Sequence, residues 1–192
     1  MSQFLHSVTN ERDALTALAD SIDEAAWSRA TDLMMNASIT VTSACGSSGF
    51  AARKFAHSLC CVECPAKFVA PSDAVHGGIG ALRGGDVLLL VSKGGQTDEL
   101  LPLARIARQK GAHIIVVTQK PDAALARGAD VVLVLPDVHE NDPYDIMSTA
   151  SFSATMAIFH AIMMEIMARK SYGKAEFAEN HPGGAVGKRI CN

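Results

Sequence analysis

The chain has 192 residues, 48% of them hydrophobic and 19% charged, which is enough for one domain with a buried core. Its formal net charge of −3, without any basic run, speaks against a nucleic-acid partner held by bulk charge but leaves room for a small anion in a local site. The opening Met-Ser-Gln-Phe-Leu-His has neither a basic n-region nor an apolar h-region, so it does not read as a signal peptide. The most apolar stretch, 154–168, is interrupted by His160 and Glu165 and reads as a buried amphipathic helix, not a membrane span.

Residues 10–36 predict one or two helices, with Leu15, Leu18, Ile22, Ala26 and Trp27 at helical spacing. A short β-branched strand over 39–43 runs into a loop, Gly46-Ser47-Ser48-Gly49, and a helix with Ala52, Phe55, Ala56 and Leu59 on one stripe. Residues 66–70 predict a second strand and 76–80 a loop. Residues 86–92 form a continuous apolar strand of the kind buried on both faces of a parallel sheet. The segment Lys93-Gly94-Gly95-Gln96-Thr97 turns the chain into a helix carrying Leu100, Leu103, Ala104 and Ala107, which Gly111 ends. Strands over 113–118 and 130–135 flank a short helix at 122–127. An irregular stretch, 136–147, precedes a long helix over 148–170, and the chain closes on a loop, His181-Pro182-Gly183-Gly184. Apolar strands alternating with amphipathic helices predict βαβ units, hence an α/β fold: a three-layer α-β-α sandwich on a five-stranded parallel sheet, one domain over 1–192.

Ligands of open parallel sheets bind beyond the carboxyl ends of the strands. Two loops are expected there, Gly46–Gly49 and Ser92–Thr97. Glycine permits close approach, helix-start amides lack intrahelical partners, and serine and threonine hydroxyls add neutral donors, a combination suited to a phosphate. Neither loop has Walker A spacing or a good G-x-G-x-x-G, so a dinucleotide is not expected. His76, Glu140 and His181 are candidates for proton transfer near neutral pH. Of the cysteines, Cys45, Cys60, Cys61, Cys64 and Cys191, none pairs with a second Cys/His set at ligand spacing. Reduced structural thiols in a cytoplasm are expected, with no metal site.

Three stretches resemble a known family. Ser92-x-x-Gly95-x-Thr97-x-Glu99-Leu100 resembles the second loop of sugar isomerase (SIS) domains. Ser72-Asp-Ala-Val-His76-Gly and Phe177-Ala-Glu-Asn-His181-Pro-Gly-Gly-Ala-Val-Gly187 resemble arabinose 5-phosphate isomerases, over roughly 35–190. The resemblance implies a phosphorylated-sugar ligand, interconversion of D-arabinose 5-phosphate and D-ribulose 5-phosphate without metal or cofactor, and a homo-oligomer, a tetramer by preference, with composite sites. Many members continue into paired CBS modules, and the chain resembles the shorter, SIS-only ones. Carried over by position, the phosphate site comprises Ser47, Ser48, Ser92, Lys93, Gly94, Gly95, Gln96 and Thr97, and the catalytic groups are Glu140, His181 and His76.

Three positions depart from the family pattern: Ser47 stands for a first-loop lysine, Gly94 for a serine, and Gln96 for a glutamate. Glutamine cannot accept a proton as a base. Lys93, in the facing loop, is expected to supply the missing positive charge. Three readings stay open: an aldose–ketose isomerase of arabinose 5-phosphate, an isomerase of another phosphosugar, and a sugar-phosphate sensor with little or no catalysis.

Overall fold

Five short strands, β1 (Thr40–Ala44), β2 (Ala66–Phe68), β3 (Val87–Val91), β4 (His113–Thr118) and β5 (Val131–Val134), pair in the order β2-β1-β3-β4-β5. All four pairings are parallel. This is the expected five-stranded parallel sheet, seen in a computed structural model that describes residues 2–190; Cys191 lies outside the described residues.

The period-2 alternation of β3 divides the core in two. Val87, Leu89 and Val91 join the layer that contains Phe55, Leu59, Ile158 and Phe159. Leu88 and Leu90 join Leu100, Leu103, Ala107 and Leu125 on the other face. Every side chain of β1 and β3 is buried, as a central parallel strand covered on both sides requires. The first layer is built by α1 (Gln3–Asp20), α2 (Glu24–Asn36), α3 (Gly46–Cys61) and α7 (Ala150–Arg169), and the second by α4 (Pro71–Val75), α5 (Leu101–Gln109) and α6 (Ala124–Arg127).

Helix α7 is long and apolar enough to cross a membrane by length and composition. It lies against the core instead, with Ala154, Ile158, Ile162 and Ile166 buried at helical spacing and Phe159 stacked on Phe55 at a centroid distance of 4.1 Å.

Several boundaries differ from the sequence expectation. The N-terminal helix starts at Gln3, capped by the Ser2 hydroxyl, and breaks before Asp23, which caps α2 by accepting from Ala26 N. Gly46–Gly49 is not a loop but the first turn of α3. Residues 71–75, where no element is expected, form α4 with Pro71 at its first turn. A 3₁₀ turn, Gly78–Ala81, occupies the expected loop, and α8 (Lys174–Asn180) and α9 (Gly184–Ile190) flank the His-Pro-Gly-Gly segment. Gly111 does end α5: at φ 73° it lets Ala112 N reach Ala107 O at 3.0 Å.

The amino edge of the sheet is tied by a carboxylate. Asp86, 2% exposed, accepts from Arg83 N at 2.7 Å and from Ile39 N, just before β1, at 3.2 Å. Asp86→Ala leaves these amides without their acceptor and is expected to cost about 1–3 kcal/mol, read as a lowered urea midpoint; an unchanged midpoint contradicts the role.

Candidate functional site

After β1 the chain turns into α3 on one face of the sheet, and after β3 it turns toward α5 on the other. Neighbouring strands whose exits diverge leave a crevice between their carboxyl ends, the topological switch point of an open parallel sheet. A cavity of about 330 Å³ lies there, lined by Cys45, Ser48, Val91, Ser92, Lys93, Gly94, Gln96 and Thr97. The two loops singled out in the sequence therefore meet at one place.

Only the first opens directly into a helix. The first intrahelical bond of α3 runs from Gly49 N to Cys45 O at 3.1 Å, so the amides of Gly46, Ser47 and Ser48 precede the ladder and are free to face an anion. A side chain at Gly49 would put its Cβ 3.0 Å from Ala44 O, which keeps the position small. In the second loop α5 begins at Leu101, four residues beyond Thr97, so the 92–97 backbone acts as a turn and not as a helix end.

That turn is pinned from β4. Lys93 O accepts from both Thr118 Oγ1 and Gln119 N at 3.0 Å. Gly95 adopts φ 65°, and a Cβ there would sit 2.5 Å from that of Ala123, so glycine is obligatory. Ser92 Oγ and Thr97 Oγ1 lie 2.8 Å apart. One of them donates to the other, which leaves one hydroxyl proton of the pair for a ligand.

Among the described residues, Lys93 is the one cationic side chain in the cavity lining. Its Nζ donates to Glu140 Oε1 at 2.6 Å, with side-chain exposures of 37% and 1% respectively. The carboxylate also accepts from Thr149 N at 2.9 Å, Ser151 N at 3.1 Å and Thr149 Oγ1 at 3.2 Å, and from Ser151 Oγ. Glu140 thus sits behind Lys93, at the amino end of α7, and outside the lining. Burial pushes its pKa up, but the Lys93 ammonium, the Ser151 hydroxyl and the amides of Thr149 and Ser151 outweigh this and lower it from 4.5 to about 2.

Residues 33–165 match the family model for the SIS domain. The chain belongs to the SIS domain family. Over 185 residues it is 32% identical to arabinose 5-phosphate isomerase KpsF of Escherichia coli, covering 96% of this chain and 57% of that one. It therefore spans little more than half the length of that curated relative. A Listeria monocytogenes structure, provisionally described as a sugar-phosphate isomerase, superposes with a TM-score of 0.90 at 37% identity, covering 94% of this chain and 95% of the other. An E. coli CFT073 protein in complex with a sugar phosphate superposes with a TM-score of 0.87 at 25% identity, covering 93% and 95%.

In this SIS domain the residues expected at the phosphate separate into two groups. Ser48, Ser92, Lys93, Gly94, Gln96 and Thr97 line the cavity; Ser47 is exposed outside it and Gly95 is buried behind it. Cys45 and Val91 also line it, and no motif in the sequence points to either. Burial, followed by the nearby Glu99 charge, raises the Cys45 thiol pKa, and burial likewise raises Cys61 and Cys64, which keeps these thiols protonated. Among the described residues, no group of three His, Cys, Asp or Glu side chains is placed to hold a metal ion.

The two candidate histidines stand apart from the cavity. His76 is exposed at the end of α4. His181 stacks on Phe177 with ring centroids 3.8 Å apart. Its neighbour Asn180 donates to Glu63 Oε1 and to Tyr172 Oη, whose own proton goes to Cys61 O. These contacts place His181 at the far end of α3, roughly 20 Å from the cavity by helix length.

A folded-state pKa below the unfolded value means that Glu140 stabilises the fold in full above pH 4.5, a contribution lost as pH falls toward about 2. The stability difference between wild type and Glu140→Gln is therefore expected to shrink between about pH 5 and pH 3 in urea titrations. A difference that stays constant across that range contradicts the ion-paired carboxylate.

Proposed function

We propose that this SIS domain is a phosphosugar aldose–ketose isomerase that interconverts D-arabinose 5-phosphate and D-ribulose 5-phosphate. The observation that carries the reading is the cavity at the β1/β3 switch point. The hydroxyls of Ser48, Ser92 and Thr97 and the Lys93 ammonium line it, beside the first turn of α3. A phosphoryl dianion matches that set: several neutral donors and one cation. The name of KpsF supports the same substrate, and so does the E. coli complex, its sugar phosphate being read as arabinose 5-phosphate.

Anchoring the phosphate at one end of the substrate spends remote binding energy on orienting the reacting carbons. Isomerisation then moves a proton between C2 and C1 through a cis-enediol. Among the described residues, no carboxylate or imidazole lines the cavity, and Gln96 in the lining cannot act as a base. Glu140 is held behind Lys93 by an ion pair with its ammonium. His181 and His76 reach a cavity only when supplied by neighbouring copies, so a homo-oligomer with composite sites, a tetramer by preference, belongs to this proposal. Apolar side chains exposed on α1, Phe4 at 86% and Val8 at 69%, are surface for such contacts. Protonated thiols at Cys45, Cys61 and Cys64, without disulfides, fit a cytoplasmic location.

The absence of an acid or base from the described lining favours a second reading, a sugar-phosphate-binding protein with little catalysis. Gly94 and Gln96, which shape one wall, also leave a different phosphosugar as the isomerase substrate.

Incubating the full chain with arabinose 5-phosphate and following ribulose 5-phosphate separates these readings. Turnover is expected, with His181→Ala reducing it on the order of a hundredfold and restored when that variant is mixed into hetero-oligomers with a phosphate-site variant. A raised melting temperature without turnover contradicts the isomerase and supports the binder. Turnover by a species that scatters light as a monomer contradicts the composite site.

A further inference from the structure

Glu140 lies in a connection, from the end of β5 to the start of α7, that contains neither helix nor strand, yet its carboxylate holds Lys93 at the cavity. Something must hold the backbone of that connection in place. From the α7 side, Asn141 N donates to Thr149 Oγ1 at 2.8 Å, the hydroxyl that also reaches Glu140 Oε2. From within the loop, Asp145 Oδ1 accepts from Glu140 N at 2.5 Å.

The opposite side is held by α1. Ser7, Asn10 and Glu11 recur at helical i, i+3, i+4 spacing and face this connection, while Phe4, Leu5 and Val8 are exposed. Asn10 Nδ2 donates to His139 O at 2.7 Å and to Asn141 Oδ1 at 2.8 Å. Asn141 Nδ2 donates to Ser7 Oγ at 2.7 Å and to Glu11 Oε1 at 3.0 Å. The second oxygen of Glu11 accepts from Ser153 Oγ of α7 at 2.5 Å. A primary amide has two hydrogens to give and one oxygen to receive, so α1 uses every polar atom of the Asn141 side chain. Residues 139 and 141, on either side of Glu140, are thus both tied to a helix some 130 residues away in sequence.

We propose that Asn141, gripped by Ser7, Asn10 and Glu11 of α1, is a positioning residue that fixes Glu140 and, through it, the Lys93 ammonium at the phosphate cavity. The inference rests on the reading that Lys93 contacts the substrate's phosphoryl group. Asn141 touches no substrate; it acts by denying the 139–141 backbone the freedom to carry the carboxylate, and with it the ammonium, away from the cavity. A displacement of about 1 Å is enough to spoil a charged hydrogen bond at such a site. Asn141 thereby couples the N-terminal helix to a cavity that α1 itself does not line.

Calorimetric titration of the full chain with arabinose 5-phosphate tests this. Asn141→Ala and Asn10→Ala are each expected to weaken binding about tenfold, and Lys93→Met at least as much. The decisive comparison is the double variant: Asn141→Ala is expected to cost little further once Lys93 is Met, because the residue acts through that ammonium. A merely structural asparagine lowers the melting temperature and leaves that coupling at zero. Wild-type affinity in Asn141→Ala, or an equal loss with and without Lys93, overturns the inference while the phosphate reading stands. Wild-type affinity in Lys93→Met overturns the reading beneath it and the inference with it. Alanine is the best helix former, so Asn10→Ala serves if Asn141→Ala does not fold.

Discussion

Right-handed crossover between parallel strands is the rule that shapes this molecule. With β2 on one side of β1 and β4 on the opposite side of β3, that handedness sends α3 to one face of the sheet and α5 to the other. The backbones leaving β1 and β3 diverge, and the space between them cannot be filled by either helix. Both loops that border the space come from short turns at strand ends, the second pinned by β4 through Lys93 O and by the obligatory glycine at 95. The cavity is therefore a consequence of topology, and its chemistry a consequence of which side chains the two turns carry.

Those side chains are short of charge. Donors surround the crevice, one ammonium stands at it, and the carboxylate that holds this ammonium is itself satisfied by four further donors from the start of α7. Glu140 consequently keeps its partners if Lys93 turns toward a ligand, so sharing the ammonium with a phosphoryl group leaves no buried charge stranded. In the proposed isomerase the same arrangement separates binding from proton transfer. Among the described residues the crevice has no carboxylate or imidazole in its wall, so in the proposed isomerase acid–base groups are brought to it from elsewhere.

Much of the architecture is legible in the residues. The run His113–Thr118 is apolar, β-branched and bounded by Gly111 and Gln119-Lys120, and it emerges with the expected limits because a strand buried on both faces has few other ways to be written. Helix α4 escapes a sequence reading because five residues are too few to show a helical period. Gly46–Gly49 looks like a loop because glycine and serine are turn residues, whereas here they open a helix whose first amides lack partners. At the site, local motifs point to Ser48, Ser92, Lys93 and Thr97, which fall within two short segments. Nothing local points to the pairing of Lys93 with Glu140, or of Asn10 with Asn141, since each is made by tertiary folding between distant segments. The position of His181 at the far end of α3 is equally invisible, because a motif does not record which edge of the sheet it will lie against.

A crystal structure of the full chain with arabinose 5-phosphate bound would locate the phosphorus atom. It should lie between the two strand exits, with its oxygens accepting from the Ser48, Ser92 and Thr97 hydroxyls and from Lys93 Nζ. A phosphorus atom found elsewhere, such as in the groove beside Trp27 and Arg169, with the crevice between β1 and β3 left to solvent, would contradict the assignment of this site.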